Sequence, residues 1–154
     1  MTQLRCLPKG ICSWDYRISG PQVAAETQSK VFCEGGSITI DGYELTVQKR
    51  GMFSGHWTLF DHKLELVNAE RESMWRWVLT IESPDHRYRF KPSSAFKRTF
   101  MLERESGECA TTIAPDHAFT RRATITLHDQ DVETPVALFA FWLAAHFWRL
   151  QASS

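Results

Sequence analysis

The sequence lacks an excess of charge of either sign. Its 154 residues contain 18 Lys and Arg and 18 Asp and Glu, so the formal net charge is zero. A neutral chain has no overall field that would recruit a polyanion. We therefore expect no nucleic-acid partner. Binding to any other anionic partner requires a local cluster of basic side chains.

The sequence also lacks paired cysteines. The four cysteines, Cys6, Cys12, Cys33 and Cys109, lie far apart, and the first residues show no continuous apolar core of a secretory signal. These features predict reduced thiols in a cytoplasmic protein. A zinc site formed by Cys6, Cys12 and a histidine is the alternative, but its spacing matches no strong template. We expect no metal and no cofactor.

Catalytic signatures are absent as well. The chain has no G-x-S-x-G, no Gly-rich phosphate loop and no H-E-x-x-H motif. An Asp that orients a His is useful for general base catalysis, but sequence neighbours on a strand point to opposite faces. Three Asp-His dipeptides are therefore interpreted as turns: Asp61-His62, Asp85-His86 and Asp116-His117. The expected protein is not an enzyme, and an enzyme without a recognisable motif is the alternative.

What the sequence does contain is a C-terminal segment that is apolar on every face. The run VALFAFWLAAHFWRL, residues 136–150, shows no polar face before His146 and Arg149. Its uninterrupted apolar part, Pro135 to Ala145, is too short for a hydrocarbon core of about 30 Å at about 1.5 Å per residue. We therefore expect no transmembrane segment. A helix at about 134–150 must be surrounded by protein on all sides.

Short β-type runs occupy residues from about 13 to 127. Turn signals such as Gly35-Gly36, Asp41-Gly42 and Ser54-Gly55 separate many of them. Roughly ten strands at this spacing are typical of a barrel or a sandwich. Closing the sheet around the last helix removes the edges and buries the helix. The prediction is a mainly β protein, in which residues 1–154 form a single closed antiparallel barrel that encloses the helix.

The alternation of apolar residues supports these strands. In two runs one face is apolar and is predicted to point inward: Trp75, Trp77, Leu79 and Ile81 in the first, and Tyr88 and Phe90 in the second. The second run then turns its basic residues outward: Arg87, Arg89 and Lys91.

The last third of the chain carries a resemblance to a known family. A strand that contains paired arginines, FTRRATITL, leads through the acidic stretch HDQDVETP to the apolar helix, which closes on Trp-Arg. Upstream, DGYELTVQKRGMFSGHWTLFD and WRWVLTIESPDHRYRFKPSSAFKRTFMLE resemble the same family's early and middle strands. From about Trp14 onward the chain resembles the tubby-like superfamily. That superfamily includes the tubby C-terminal domain, the LURP-one-related proteins and the phospholipid scramblases, and the chain is most similar to its small bacterial members.

The resemblance implies an antiparallel barrel with a hydrophobic helix through its middle. It also implies binding of phosphoinositide headgroups by basic side chains on the barrel wall, although no distinctive motif carries those positions one by one.

Basic residues form the candidate binding site. If their strands are neighbours, the barrel carries a cationic stripe that holds phosphates or a lipid surface. The candidate binding residues are Arg87, Arg89, Lys91, Lys97, Arg98, Arg121 and Arg122, and Lys49 and Arg50 at the end of a third strand extend the stripe. The competing interpretation is a solvated wall whose cations are neutralised by nearby glutamates.

The predicted function is an intracellular binding module for anionic phospholipid headgroups or for a protein partner. It is expected in the cytoplasm, including the peripheral membrane surface. A carrier of a small apolar ligand is the alternative from another class, but a helix in the lumen leaves little space for cargo.

Overall fold

The described residues form one closed sheet and one helix. In a computed structural model of the chain, the structure describes residues 1–30, 34–51, 54–93 and 98–153. The strands are β1 (Thr2–Pro8), β2 (Tyr16–Ser19), β3 (Ala24–Lys30), β4 (Gly35–Ile40), β5 (Tyr43–Lys49), β6 (His56–Asp61), β7 (Leu64–Ser73), β8 (Arg76–Glu82), β9 (Arg87–Pro92), β10 (Phe100–Arg104), β11 (Cys109–Pro115) and β12 (Ala123–Leu127), and the helix is α1 (Thr134–Ala152).

The sheet closes between its first and last strands. Each strand pairs antiparallel with the next along the chain, and β1 pairs with β12 from Thr2 opposite Leu127 to Cys6 opposite Ala123. Closure leaves no exposed sheet edge. The predicted closed antiparallel barrel is confirmed, with twelve strands in the described part of the chain rather than roughly ten.

The strands begin at Thr2, not at about residue 13. The missed strand is β1, TQLRCLP, in which only Leu4 and Cys6 turn inward. Two inward apolar residues are too few to show an alternating pattern, and the segment ends at a proline, which is uncommon within strands. Its pairing with β12 and β2 is what makes this segment a strand.

Helix α1 occupies the interior of the barrel. Every residue from Val136 to Trp148 is buried, as a helix without a polar face requires. Its side chains reach opposite sides of the sheet. The ring of Phe141 lies 4.8 Å from that of Tyr16 on β2, and the ring of Phe147 lies 4.5 Å from that of Trp77 on β8. The prediction of an enclosed C-terminal helix is confirmed.

The direction of α1 distinguishes the two ends of the barrel. The helix begins after β12 at one end, here called the helix-N end, and finishes at the other, the helix-C end. The connections at the helix-N end are residues 20–23, 41–42, 62–63, 83–86, 105–108 and 128–133. Those at the helix-C end are residues 9–15, 31–34, 50–55, 74–75, 93–99 and 116–122, of which 31–33, 52–53 and 94–97 lie outside the described residues.

The predicted inward face of β8 is correct except at its first residue. Leu79 and Ile81 are buried and Trp77 is half-buried, but Trp75 is 93% exposed. The pairing of Ser73 with Arg76 places Trp75 in a two-residue connection, where the alternation of the strand no longer applies. The Trp75 backbone N–H donates to Ser73 Oγ at 3.2 Å, which holds this turn.

Gly36 lies at a close approach between sheet and helix. The Gly35-Gly36 pair begins β4 instead of forming the predicted turn. A Cβ atom at Gly36 would lie 1.9 Å from the carbonyl oxygen of Gln28 and 2.8 Å from Trp142 Nε1. That indole N–H donates to the same Gln28 oxygen at 2.9 Å, so the glycine makes room for a bond between α1 and β3.

We expect Gly36→Ala to lower the free energy of unfolding by roughly 1–3 kcal/mol, since the added methyl group overpacks a rigid contact. Gly10→Ala is the matched control, because the nearest atom to its Cβ would be 3.9 Å away. Urea denaturation of both variants measures the difference. Equal stability of the two variants would contradict the close approach.

Candidate functional site

The three basic residues of β9 point outward, as predicted. Arg87 and Arg89 are exposed and Lys91 is half-buried, while Tyr88 and Phe90 between them are buried. Each basic side chain meets a carboxylate, which lies on an adjacent strand for Arg87 and Lys91 and on β7, beyond β8, for Arg89. The ion pairs are Arg87–Glu82 at 3.1 Å, Arg89–Glu72 at 3.1 Å, and Lys91–Glu103.

These pairs cancel the charge of the wall. Exposed ion pairs contribute little to stability, typically about 0–1 kcal/mol each. Their electrostatic effect is larger, because a cation beside a carboxylate projects a much weaker field to a distant ligand. The stripe on β9 is therefore locally neutral, although its role in binding stays a prediction.

Three of the other predicted residues meet at the helix-C end, whereas Lys97 lies outside the described residues. Arg98 reaches the 116–122 connection, where its Nη1 atom donates to the carbonyls of Ala118 at 3.1 Å and Thr120 at 3.4 Å. Its guanidinium group also lies 5.5 Å from the ring centroid of Trp148 on α1. Arg98 therefore ties this connection to the end of the helix.

Arg121 ties the same connection to its other neighbour. Its Nη1 atom donates to the carbonyl of Ser13 at 3.2 Å, and its guanidinium group lies 5.4 Å from the Trp14 ring centroid. The hydroxyl of Tyr16 donates to the Arg121 carbonyl at 2.8 Å. Arg122 is exposed, and its side chain has no polar partner in the described part of the chain.

Arg98, Arg121 and Arg122 thus differ from the wall cations in one respect. None of the three forms an ion pair with any described carboxylate. Arg98 and Arg121 each donate hydrogen bonds to backbone carbonyls, which are uncharged, so their positive charge is not neutralised. Together with the free Arg122 they make the 116–122 connection a positively charged feature.

The charge of the connections differs between the two ends. At the helix-N end the basic residue is Lys63, and the acidic residues are Asp41, Asp85, Glu105, Glu108, Asp129, Asp131 and Glu133. At the helix-C end the described basic residues are Lys9, Arg50, Arg98, Arg121 and Arg122, and the described acidic ones are Asp15, Glu34 and Asp116. A neutral chain therefore folds into a barrel with a negative and a positive end.

Sequence reasoning missed the exposed apolar residues of the helix-C end. Four large hydrophobic side chains at this end are between 82% and 98% exposed: Ile11, Met74, Trp75 and Phe119. Among the described residues, Met1 is the other large hydrophobic residue with an exposure above 80%. In the sequence these four residues are isolated apolar positions within turns. They can be recognised as a group only when the strand order assigns their connections to the same end of the barrel.

A polar cluster lies at the helix-N end. Arg104 Nε donates to Asp129 Oδ2 at 2.9 Å, and the Arg104 guanidinium group lies 5.5 Å from the ring centroid of Tyr88. The Tyr88 hydroxyl is buried without a hydrogen-bond partner among the described residues, and burial raises its pKa. The adjoining cleft of about 550 Å³ is open to solvent and includes His86 and Asp85. A buried phenol and an ion pair do not form an activated nucleophile with its base.

His146 is the polar residue of α1 that lies within the core. It stacks on Trp142 with ring centroids 5.3 Å apart and packs against Trp57 at 5.9 Å. Its Nε2 atom lies 3.4 Å from Glu34 Oε1, outside hydrogen-bond geometry, and Arg149 Nη2 lies 3.3 Å from its Nδ1. Burial, and then the charge of Arg149, lower the His146 pKa to about 4, although Glu34 acts in the opposite direction.

Glu34 connects this histidine to the helix-C end. Burial acts to raise the pKa of its carboxyl, but the hydrogen bond and charge of Lys49 outweigh that effect and lower it. The Glu34 carbonyl also accepts a hydrogen bond from Trp57 Nε1 at 3.2 Å. At neutral pH the cluster therefore contains a neutral imidazole beside a Glu–Lys pair.

We expect this imidazole to make stability fall as the pH falls. Between pH 6.5 and 4 the unfolded chain binds a proton at residue 146 that the folded chain excludes. The free energy of unfolding therefore decreases as the pH falls. The loss from this group amounts to about 2 kcal/mol at pH 5. Urea denaturation at pH 7.5 and pH 5 of the wild type and His146→Gln measures it. The same pH dependence in both proteins would contradict the assignment.

Within the described residues, no group of three or more His, Cys, Asp and Glu side chains is placed to hold a metal ion. No helix of the described chain combines the length and the apolar character needed to cross a bilayer. Comparisons with protein-family models, with curated proteins and with solved structures give no significant match to this chain.

Proposed function

We propose that the chain is a non-enzymatic binding module that docks on an anionic surface through the helix-C end of its barrel. The observation that supports this most directly is the separation of charge between the two ends. Three unpaired arginines surround the 116–122 connection, whereas acidic residues dominate the opposite end. Such a molecule is attracted to a negative surface by one end and repelled from it by the other.

The architecture supports the family assignment implied by the sequence. A closed antiparallel barrel around a hydrophobic C-terminal helix is the arrangement expected of a tubby-like protein, and we propose that the chain is one. The proposal differs from the expected mode of binding in its location. The cations of β9 are paired, as are Lys9 and Arg50 at the helix-C end, whereas Arg98, Arg121 and Arg122 have no ion-pair partner among the described carboxylates.

The occupied interior favours binding on the outside of the barrel. Residues of α1 fill the lumen from Val136 to Trp148, so cargo inside the barrel would have to displace the helix. We propose that the protein acts at the cytoplasmic face of a membrane, because that leaflet carries the anionic lipids that attract basic segments.

The charge of Arg122 provides the test. Arg122→Gln removes an exposed, unpaired cation at the helix-C end, and Lys63→Gln removes one at the helix-N end. We expect Arg122→Gln to weaken sedimentation with vesicles of phosphatidylcholine and phosphatidylserine about fivefold at low salt, as one basic side chain near an anionic surface contributes about 1 kcal/mol. Lys63→Gln should change it little, and high salt should abolish the difference.

A third variant compares the contribution to vesicle binding of the β9 cations with that of the helix-C end. The triple change Arg87→Gln, Arg89→Gln and Lys91→Gln removes cations that are already paired, so we expect a smaller effect per charge than that of Arg122→Gln. A larger effect per charge would move the site to the β9 wall. Absence of binding to these vesicles would remove the lipid and leave a protein partner.

A further inference from the structure

Apolar side chains stand at the tips of three connections of the helix-C end. Ile11 lies in the 9–15 connection, Phe119 in the 116–122 connection, and Met74 and Trp75 form the 74–75 connection. Phe119, the most exposed, is 98% accessible, so it makes almost no contact with the rest of the protein. Covering any one of these large apolar side chains by another surface would be favourable, because burial removes apolar area from water.

Two of these tips are firmly held at their bases. The 116–122 connection is fastened by Arg98 to its Ala118 carbonyl on one side. On the other side the Arg121 guanidinium group bonds the Ser13 carbonyl of the 9–15 connection. Phe119 and Ile11 are therefore presented by connections whose backbones are tied to each other and to the barrel, rather than by free loops.

The tips surround the end of the barrel instead of forming one patch. The strand order places the 9–15 and 116–122 connections side by side, because β12 and β1 are neighbours. The same order places the 74–75 connection on the opposite side of the closed sheet. An extended surface that approaches the helix-C end face-on, such as a bilayer, can contact tips on both sides of the barrel.

The side chains among the tips match the chemistry of a lipid interface. Arg98, Arg121 and Arg122 lie in the same connection as Phe119 or contact it. Trp and other amphipathic rings favour the headgroup level of a bilayer, and arginines near them pair with phosphates. Apolar side chains flanked by cations are the combination that attaches peripheral proteins to anionic membranes.

We infer that the protein stands on an anionic bilayer with its helix-C end down and inserts Phe119, Ile11 and the Met74-Trp75 tip among the lipid headgroups. This inference rests on the proposed function and adds the orientation and the inserted residues. The acidic helix-N end then points away from the membrane. The barrel axis, and α1 within it, stand at a steep angle to the membrane plane.

Insertion is measured by tryptophan quenching with the intact protein. Vesicles of phosphatidylcholine and phosphatidylserine, with bromine on the upper part of the acyl chains, quench an indole that reaches them. We expect these vesicles to quench the wild type, and the quenched fraction to fall in Trp75→Phe, which keeps an aromatic tip. Trp57, Trp142 and Trp148 are buried and supply an unquenched background. Trp14 and Trp77 are half-buried and present in both proteins, so the difference between the two proteins reports Trp75.

The contribution of the tips is measured by vesicle sedimentation. Phe119→Ser should weaken binding about tenfold, the effect of withdrawing one large apolar side chain from an apolar environment. Leu64→Ser is the matched control, because Leu64 is 63% exposed at the start of β7 at the helix-N end, and should change binding less than twofold.

The outcomes separate the two proposals. Salt-sensitive sedimentation, with a quenched fraction that falls in Trp75→Phe and with binding weakened by Phe119→Ser but not by Leu64→Ser, supports insertion. Sedimentation that responds to Arg122→Gln but shows no Trp75 quenching and no effect of Phe119→Ser overturns insertion and leaves the charge-based proposal intact. If the protein sediments with none of these vesicles, both the insertion and the charge-based docking on lipid are overturned.

Discussion

A helix without a polar face is the constraint on which the rest of this structure depends. From Val136 to Trp148 every side chain of α1 must be covered, and a single flat sheet covers only one side of a helix. A sheet closed into a barrel covers all sides and at the same time removes its own edges. The two requirements have one solution, which explains why β1 must return to β12 and why Gly36 must leave room for Trp142.

The same constraint assigns different tasks to different surfaces. The lumen is filled, so the inward side chains serve packing. The outward side chains of the strands cover the wall. The connections are free of both tasks, because they neither contribute to the ladder nor need to pack around the helix. Side chains that the fold itself does not require are found in the connections. The exposed Phe119 and Arg122, which has no polar partner among the described residues, are two examples.

The fold was predictable because its main signals are local. The apolar run of α1 and the alternation of β8 and β9 are read directly from neighbouring residues, and both are confirmed. The errors arise where a residue's surroundings depend on pairing. β1 is a strand because β12 and β2 lie beside it, and Trp75 is exposed because Ser73 pairs with Arg76. Neither pairing can be read from the segment alone.

The candidate site was predictable only in part for the same reason. Arg98, Arg121 and Arg122 were identified as basic residues, but their meeting around one connection depends on the order β10, β11, β12 at one end of the barrel. The tips Ile11 and Phe119 are more than a hundred positions apart in the chain and become neighbours only after closure. Composition also concealed the site, because equal numbers of acids and bases give no sign that they are separated in space.

The geometry of a sheet explains how the cations of β9 find carboxylate partners. On a sheet, residues on adjacent strands lie about 4.5–5.5 Å apart, so an outward Arg or Lys readily finds a carboxylate beside it. Arg87 with Glu82 and Lys91 with Glu103 are such pairs. A connection has no strand directly beside it, so a cation there depends on the carboxylates within reach. Lys9 and Arg50 reach Glu26 and Glu65, whereas Arg121 reaches none among the described residues. Arg121 accordingly bonds the Ser13 carbonyl and keeps its full charge. In the 116–122 connection, therefore, positive charge stays available to a partner.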